Sequence, residues 1–171
     1  MTVAVFGALA VLAMLCETAI SRRNERVLRA AGAVEPRHDV YPLMQVAYPG
    51  TFAALIAEGA LRSVRADVWF AAGAIVFVAS KALKYWAIAT LGPRWTFRVL
   101  VPPGSTRIRR GPYRRLSHPN YLAVAGELIG AAIAMHAVVS GVPAVAGFAA
   151  LMRRRVRVEE DALAESRMRR C

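Results

Sequence analysis

The chain has 171 residues, of which 57% are apolar, and 23 Lys and Arg against 11 Asp and Glu leave a net charge of +12. The arginines are confined to short clusters between long apolar stretches, which is how a lipid bilayer partitions a sequence. This distribution argues against nucleic-acid binding, because no segment combines a basic face with interleaved aromatic residues. The composition therefore predicts one integral membrane domain, residues 1–171.

Five apolar segments predict an all-α bundle of about five transmembrane helices. In chain order they cover residues 2–20, 40–61, 68–91, 121–139 and 142–152. The first three belong to residues 1–91, and the first is expected to be a span because its basic residues follow the apolar run, whereas those of a secretory leader precede it. The fifth is shorter than the roughly 20 residues of a straight span. It is expected to form a helical hairpin with the fourth, turning through Ser140, Gly141 and Pro143.

The polar segments alternate in basic charge. From the first loop to the C-terminal tail they contain five, two, seven, zero and seven arginines. By the positive-inside bias, the N-terminus lies outside and the arginine-rich loops and tail face the cytoplasm. The longest polar segment, residues 92–119, is cytoplasmic in this arrangement and is where a site is expected.

A short motif, Ser117-His118-Pro119-Asn120-Tyr121, lies at the cytoplasmic entrance of the fourth span. Pro119 suits the first turn of a helix and places His118 at the cap. A helix N-terminus facing the cytosol presents backbone amides and the positive end of its dipole, which suits a carboxylate or another acceptor. A basic interfacial loop with an aromatic anchor has the same composition, so both interpretations stay open.

Two adjacent carboxylates, Glu159 and Glu160, follow the last apolar segment within the basic tail. They are the carboxylate pair nearest to the cytoplasmic arginine clusters. Arg155 precedes Glu159 by four residues, so an amphipathic helix with an intrahelical ion pair also explains them. Spacing alone does not separate a binding site from such a helix.

Together the two motifs resemble the isoprenylcysteine carboxyl methyltransferase family over about residues 85–165. That family has Arg-His-Pro-x-Tyr at the start of a helical hairpin and Arg-x-x-x-Glu-Glu after it, and this chain has Arg-Val-Arg-Val-Glu-Glu at 155–160. The resemblance implies a cytosolic pocket for S-adenosylmethionine, built from residues 92–171. Ser117 stands where the family usually has Arg, and Arg114 or Arg115 is expected to supply the missing charge.

The resemblance also assigns roles to particular residues. Arg155 is expected to orient an acidic or enolic acceptor oxygen through a charge-assisted hydrogen bond, or else only to position Glu159. Arg155 and His118 are candidate catalytic residues, and Glu127 is a third, on the separate ground that it is an ionisable residue inside the fourth span. The implied cofactor contacts are His118, Pro119, Tyr121 and the backbone around Asn120 and Leu122 on one side, and Glu159 and Glu160 on the other.

Five ionisable residues lie within or near the apolar segments: Glu17, Glu58, Lys81, Lys84 and Glu127. Charges in a bilayer are costly and mark paired or functional groups. Glu17 and Lys84 lie near the expected cytoplasmic ends of their spans, so their side chains are expected to extend to the interface. Glu127 lies two helical turns into the fourth span from His118 and either lines a substrate cavity or is packed in its protonated form.

The run Leu-Gly-Pro-Arg-Trp-Thr-Phe-Arg-Val at 91–99 is similar to a bacterial branch of the family that is associated with type III polyketide synthases. This resemblance implies an O-methyltransferase of alkylpyrones or alkylresorcinols in the inner membrane, functionally linked to such a synthase. A second enzyme interpretation has an isoprenylcysteine carboxylate or a phospholipid amine as the acceptor. An interpretation from another class is a non-catalytic membrane scaffold or transporter subunit, in which the arginine clusters only set the topology.

Overall fold

The computed structural model describes residues 1–35, 40–103 and 108–168, with side chains described as far as Glu159. Over these residues the chain is all-α, as predicted. A single antiparallel β-bridge pairs Val34 with Val101 and belongs to no strand in the described residues. The helices are α1 (Thr2–Ala30), α2 (Tyr41–Leu61), α3 (Val68–Leu91), α4 (Pro119–Ala134) and α5 (Val138–Met168). Two short 3-10 helices, Gly92–Arg94 and Gly111–Arg114, lie in the long polar segment between α3 and α4.

The outer surface of the bundle is apolar in the way that lipid contact requires. Two helical segments, Thr2–Ala30 and Val68–Arg94, are long and apolar enough to cross a membrane. Large apolar side chains such as Leu12, Ile75 and Val78 are exposed on these two helices. Because a soluble surface rarely carries such bands of exposed apolar residues, the surface indicates a membrane protein.

Helix α1 is longer than the first predicted span. The apolar segment ends near residue 20, but the helix continues to Ala30 with exposed arginines along one side. Ser21, Asn24 and Leu28 are buried on the other side. This extension therefore packs against the protein beyond the apolar segment, and it contacts the loop that follows α3.

Helices α3 and α4 are in backbone contact. A Cβ atom added at Gly73 would lie 2.3 Å from the backbone nitrogen of Ala134, and one at Gly130 would lie 2.6 Å from that of Phe77. Neither position has room for a side chain, so glycine permits the two backbones to approach this closely. Next to this contact the apolar core is formed by Phe6, Phe52, Leu55, Phe77, Leu128 and Phe148.

The hairpin between α4 and α5 forms, but its predicted turn is wrong. The chain turns at residues 135–137, where His136 has φ = 50°, and Ser140, Gly141 and Pro143 lie inside α5. Gly141 serves the packing of the two helices, because a Cβ atom there would lie 2.8 Å from that of Ala132. The small residue thus marks a close approach of α5 to α4, and not a turn.

The start of α5 is stabilised from a distant part of the chain. The Glu58 carboxylate, at the end of α2, accepts hydrogen bonds from the backbone amides of Val139 (3.2 Å) and Ser140 (2.8 Å) and from the Ser140 hydroxyl (2.6 Å). A carboxylate at a helix N-terminus satisfies amides that have no partner within the helix. This cap lets α5 begin before Ser140.

Candidate cofactor cleft

An open cleft lies at the end of the bundle where α4 begins. One wall is the loop after α3, which contributes residues 94–96 and 98–102, and the other is the start of α4 together with α5. The two sequence motifs meet here although they are far apart in the chain. The lining residues that they contribute are Ser117, His118, Asn120, Tyr121, Arg155 and Glu159.

The start of α4 has the predicted geometry. Pro119 is its first residue and is buried, and His118 is its N-cap. The backbone amides of Tyr121 and Leu122 both donate to the His118 carbonyl oxygen at 3.2 Å. Their hydrogens are therefore used within the helix, so the backbone amides of Tyr121 and Leu122 are not offered to the cleft.

Tyr121 joins α4 to α5 inside the cleft. Its hydroxyl donates to Glu159 Oε2 at 2.8 Å and accepts from Arg155 Nε at 3.2 Å. A terminal nitrogen of the buried Arg155 guanidinium also donates to the carbonyl oxygen of Phe97, in the opposite wall. Arg155 thus holds both walls of the cleft through one rigid, planar group.

Aromatic rings accompany these polar groups. The rings of His118 and Tyr121 are stacked, with centroids 5.4 Å apart and planes inclined by 24°. Tyr113 also lines the cleft, and burial, followed by the nearby Glu159 charge, raises the pKa of its hydroxyl. Tyr113 is therefore a neutral donor or acceptor at physiological pH.

Hydrogen bonds that the sequence did not predict fix the loop wall. Trp95 Nε1 donates to Asn120 Oδ1 at 3.2 Å, which ties the loop to α4. Asn24 donates to the carbonyl oxygens of Gly92 (3.2 Å) and Trp95 (2.7 Å), and the Ser21 hydroxyl accepts the Phe97 amide at 2.8 Å. The sequence did show polar residues at 21 and 24 just after an apolar segment, which could have indicated a polar contact there. It did not show that their partners lie in the loop after α3.

A second tie connects the loop to the end of α1. Glu35 accepts hydrogen bonds from Arg29 (2.6 Å) and Arg98 (2.7 Å), and the Arg98 guanidinium lies 4.6 Å from the centre of the Tyr41 ring. Burial alone would raise the pKa of Glu35, but the hydrogen bonds from Arg29 and Arg98 outweigh it and lower the pKa. Glu35 therefore stays ionised and holds Arg98 in place.

The charge in the cleft is mainly positive. Arg94, Arg98 and Arg155 line it, and Glu159 is the carboxylate among its described lining residues. Arg114 and Arg115 are exposed and do not belong to that lining. Arg94 and Arg98 from the loop after α3 line the same cleft as Ser117, whereas the charge was expected from Arg114 or Arg115.

Some predicted site residues lie elsewhere. Leu122 is 54% exposed on the outside of α4, and the side chain of Glu160 is outside the described residues. Glu127 is fully buried deeper in the bundle, where Lys84 Nζ lies 3.3 Å from its Oε2 atom. Glu17 and Lys84 do not extend to the interface as expected, because they pair with each other at 2.6 Å inside the bundle.

The remaining histidines do not add a metal site to the described part of the chain. His136 lies 3.2 Å from the Asp67 carboxylate at the opposite end of the bundle from the cleft, and His38 is outside the described residues. Among the residues that are described, no group of three His, Cys, Asp or Glu side chains is placed to hold a metal ion.

Comparison with known proteins gives a family match over more than half of the chain. The model of the isoprenylcysteine carboxyl methyltransferase (ICMT) family matches residues 73–165, which include α4, most of α3 and most of α5. No solved structure matches the chain.

Two full-length relatives are similar to most of the chain. The uncharacterized protein YpbQ of Bacillus subtilis is 31% identical over 158 residues, which cover 92% of this chain and 94% of YpbQ. An uncharacterized protein of Haemophilus influenzae is 24% identical over 145 residues, 84% of each chain. Because the family model matches more than half of the chain, the chain belongs to the isoprenylcysteine carboxyl methyltransferase family, a family of membrane methyltransferases.

Proposed function

We propose that the protein is an S-adenosylmethionine-dependent O-methyltransferase of the bacterial inner membrane, with its cleft facing the cytoplasm. Its proposed acceptor is a lipid-like polyketide, an alkylpyrone or alkylresorcinol. The observation that carries the proposal is the 2.8 Å hydrogen bond between Tyr121 and Glu159. It joins the His-Pro-x-Tyr motif to the Glu-Glu motif at the edge of one cleft, where both can contact one ligand.

The side chains in the cleft fit the proposed cofactor. The Glu159 carboxylate suits ribose hydroxyls or an ammonium group, and the stacked rings of His118 and Tyr121 offer a flat apolar surface beside it. Asn120 adds a side-chain amide on the same wall. These residues would hold the cofactor from the α4 and α5 side, and the loop after α3 would enclose it from the other.

When bound, S-adenosylmethionine supplies an electrophilic methyl group. Transfer in line to an oxygen requires little acid or base chemistry, so alignment and exclusion of water supply most of the rate enhancement. Arg155 is held against Phe97 and Tyr121 and presents a fixed positive charge for the acceptor oxygen. A hydroxypyrone is already acidic, whereas for a phenol His118 or Glu159 takes the proton.

The charge and apolar surface of the cleft favour an acidic, lipid-like acceptor. Arg94, Arg98 and Arg155 line the cleft, and although Arg98 is paired with Glu35, the remaining positive charge favours an enolate, phenolate or carboxylate over a phospholipid ammonium group as the acceptor. Val99, Leu100 and Ile108 supply apolar lining beside them. An isoprenylcysteine carboxylate has the same chemistry and is the second candidate acceptor.

The proposed acceptor explains why the enzyme is embedded in a membrane. An acyl tail enters from the bilayer between helices, while the cofactor reaches the cleft from the cytosol. A type III polyketide synthase makes products of this kind, so a functional link to such an enzyme is part of the proposal. A membrane scaffold or transporter subunit is the alternative from another class, and it requires no cofactor.

Calorimetric titration of the detergent-purified protein with S-adenosylhomocysteine tests cofactor binding. We expect the parent to bind and both His118→Ala and Glu159→Ala to lose at least tenfold in affinity, because each removes a proposed contact. Ile129→Ala, which truncates a partly exposed side chain on α4, is the matched control and should bind like the parent. A folded parent that binds no S-adenosylhomocysteine would favour the scaffold interpretation.

Methyl transfer to defined acceptors tests the substrate class. Labelled S-adenosylmethionine is supplied with an alkylpyrone, an alkylresorcinol, an isoprenylcysteine analogue or phosphatidylethanolamine in separate reactions. We expect transfer to the alkylpyrone or alkylresorcinol and none to the amine. Preferential methylation of phosphatidylethanolamine would contradict the charge argument, and preference for the isoprenylcysteine analogue would replace the polyketide by the second candidate.

A further inference from the structure

Four ionisable side chains form a buried group inside the bundle, which we term the charge cluster: Glu17 of α1, Lys81 and Lys84 of α3, and Glu127 of α4. Each lysine Nζ lies 2.6 Å from a Glu17 carboxylate oxygen and 3.3 Å from Glu127 Oε2. The Tyr48 hydroxyl of α2 donates to the same Glu127 oxygen. The cluster therefore connects α1, α3 and α4, and Tyr48 links it to α2.

The charge cluster is balanced. Two ammonium and two carboxylate groups sum to zero, so the group can be buried as a unit, whereas a single unpaired charge in this position is strongly unfavourable. Balance also holds for each half of the cluster. The pair of Lys81 and Glu17 alone is neutral, and so is the pair of Lys84 and Glu127.

One face of α4 carries both the cluster and the cleft. Asn120, Glu127 and Ala134 are spaced by seven residues, or two helical turns, and therefore lie on the same side of the helix. That side faces α3 and the loop that follows it. Asn120 accepts from Trp95, Glu127 pairs with Lys84, and the Ala134 backbone contacts Gly73.

These three contacts constrain α4 differently. At Gly73 the two backbones touch without an intervening side chain, which fixes the distance between the helices but provides no ridge against sliding along their axes. The pair of Lys84 and Glu127 does oppose sliding, because separating the two charges in an apolar interior is costly. A helix is stiff over two turns, so any shift at Glu127 reaches Asn120, about 10 Å away along the axis.

We propose that Lys84 and Glu127 are positioning residues that fix the register of α4 against α3, and so set Asn120 and Tyr121 in the cleft. This inference rests on the proposed function, because it concerns the cofactor side of that cleft. It gives Glu127 an indirect role, since Glu127 lies in the charge cluster and the cleft lining is formed by other residues.

Two charge-balanced double variants separate positioning from charge burial. The variant Lys84→Met/Glu127→Gln removes both α3–α4 ion pairs of the cluster together with the Lys84–Glu17 pair, and it leaves Lys81 with Glu17. The matched control, Lys81→Met/Glu17→Gln, removes both α1–α3 ion pairs together with the Lys81–Glu127 pair, and it keeps the α3–α4 pair of Lys84 with Glu127. Both variants bury the same number of new neutral groups, so a difference between them reports which helix pair matters.

The readouts are the midpoint of thermal unfolding, calorimetric affinity for S-adenosylhomocysteine, and methyl transfer at saturating cofactor. We expect similar midpoints for the two variants. Lys84→Met/Glu127→Gln should bind at least tenfold more weakly and lose about 100-fold in turnover, the scale of a misalignment of about 1 Å. The control should keep the affinity of the parent. Equal affinity of both variants, whether parental or reduced, would overturn the positioning role.

Conservative single variants keep the inference testable if a double variant does not fold. Lys84→Arg retains charge and reach and should bind like the parent, whereas Glu127→Asp shortens the reach by one methylene and should weaken binding. If Glu127→Asp binds S-adenosylhomocysteine as tightly as the parent, the positioning role is overturned and the proposed function is not. A folded parent that binds no S-adenosylhomocysteine would instead overturn the proposed function, and this inference with it.

Discussion

The side-chain amide of Asn24 donates to the Trp95 carbonyl oxygen at 2.7 Å, although the two residues are 71 positions apart. The same amide reaches the Gly92 carbonyl oxygen at 3.2 Å. One buried residue of α1 thereby fixes the loop that forms a wall of the cleft. The family match begins at residue 73, so part of this wall depends on a helix outside the matched segment.

Replacing Asn24 should destabilise the protein and disturb the cleft. Asn24→Ala leaves two carbonyl oxygens without this donor and should cost about 1–3 kcal/mol. Asn24→Asp should cost more, because a carboxylate cannot donate to a carbonyl oxygen and repels it. Thermal unfolding in detergent measures both, with Arg23→Ala on the exposed side of the same turn as control. Equal midpoints for Asn24→Ala and Arg23→Ala would contradict the role assigned to Asn24.

Arg155 should not be replaceable by lysine. Its guanidinium donates through Nε to Tyr121 and through a terminal nitrogen to Phe97, and a single ammonium group cannot reproduce this geometry. Loss of one charge-assisted hydrogen bond predicts roughly tenfold weaker binding of S-adenosylhomocysteine for Arg155→Lys. Arg157→Lys, at an exposed position of α5, should leave the affinity unchanged. Calorimetric titration of the two variants with S-adenosylhomocysteine measures these affinities. An Arg155→Lys variant that binds as tightly as the parent would refute this prediction.

Two glycine-to-alanine substitutions should have opposite effects. At Gly130 the new methyl group would meet the backbone of α3 at 2.6 Å, and such overpacking costs about 1–3 kcal/mol. At Gly147 nothing lies within 4 Å, so alanine should stabilise α5 by up to about 1 kcal/mol through its higher helix propensity. Unfolding midpoints should fall for Gly130→Ala and rise or stay for Gly147→Ala. A tolerated Gly130→Ala would show that α3 and α4 can separate at little cost.

The hydrogen bonds that Glu35 accepts from Arg29 and Arg98 should make the stability of the protein depend on pH in acid. Because Arg29 and Arg98 lower the pKa of Glu35 below its ordinary value of 4.5, the ionised form is favoured in the folded protein. Its contribution to stability is thus fully present above pH 4.5 and is lost as the pH falls through the lowered folded pKa. The parent should unfold at a higher temperature than Glu35→Gln near pH 7, with the difference shrinking below pH 4.5. A constant difference across this range would exclude the carboxylate charge as its cause.

Local patterns in the sequence predicted the parts of the site that depend on short-range geometry. Pro119 at the first position of a helix and His118 at its cap follow from backbone rules alone, and both hold. The meeting of Tyr121 with Glu159 did not follow from spacing. It was expected from the family resemblance, and the short connection between α4 and α5 brings it about.

Long-range partners explain what could not be predicted. Ser140 and Gly141 have the composition of a turn, but a carboxylate from α2 caps α5 there and extends the helix. Lys84 was expected at the interface because a buried charge is costly. The sequence did not show that Glu17, 67 positions away, pairs with Lys84 inside the bundle and compensates its charge. Such pairings arise only when helices that are distant in the chain pack together.

The charge cluster also has a consequence for how the protein is made. Glu17 precedes Lys81 by 64 residues, so α1 reaches the bilayer before either lysine has been synthesised. Until α3 follows, the Glu17 carboxylate has no lysine partner, and the cost of an unpaired charge in lipid favours a position near the headgroups. Because Lys81 and Lys84 remove that penalty, we expect α1 to reach its final depth only after α3 has inserted.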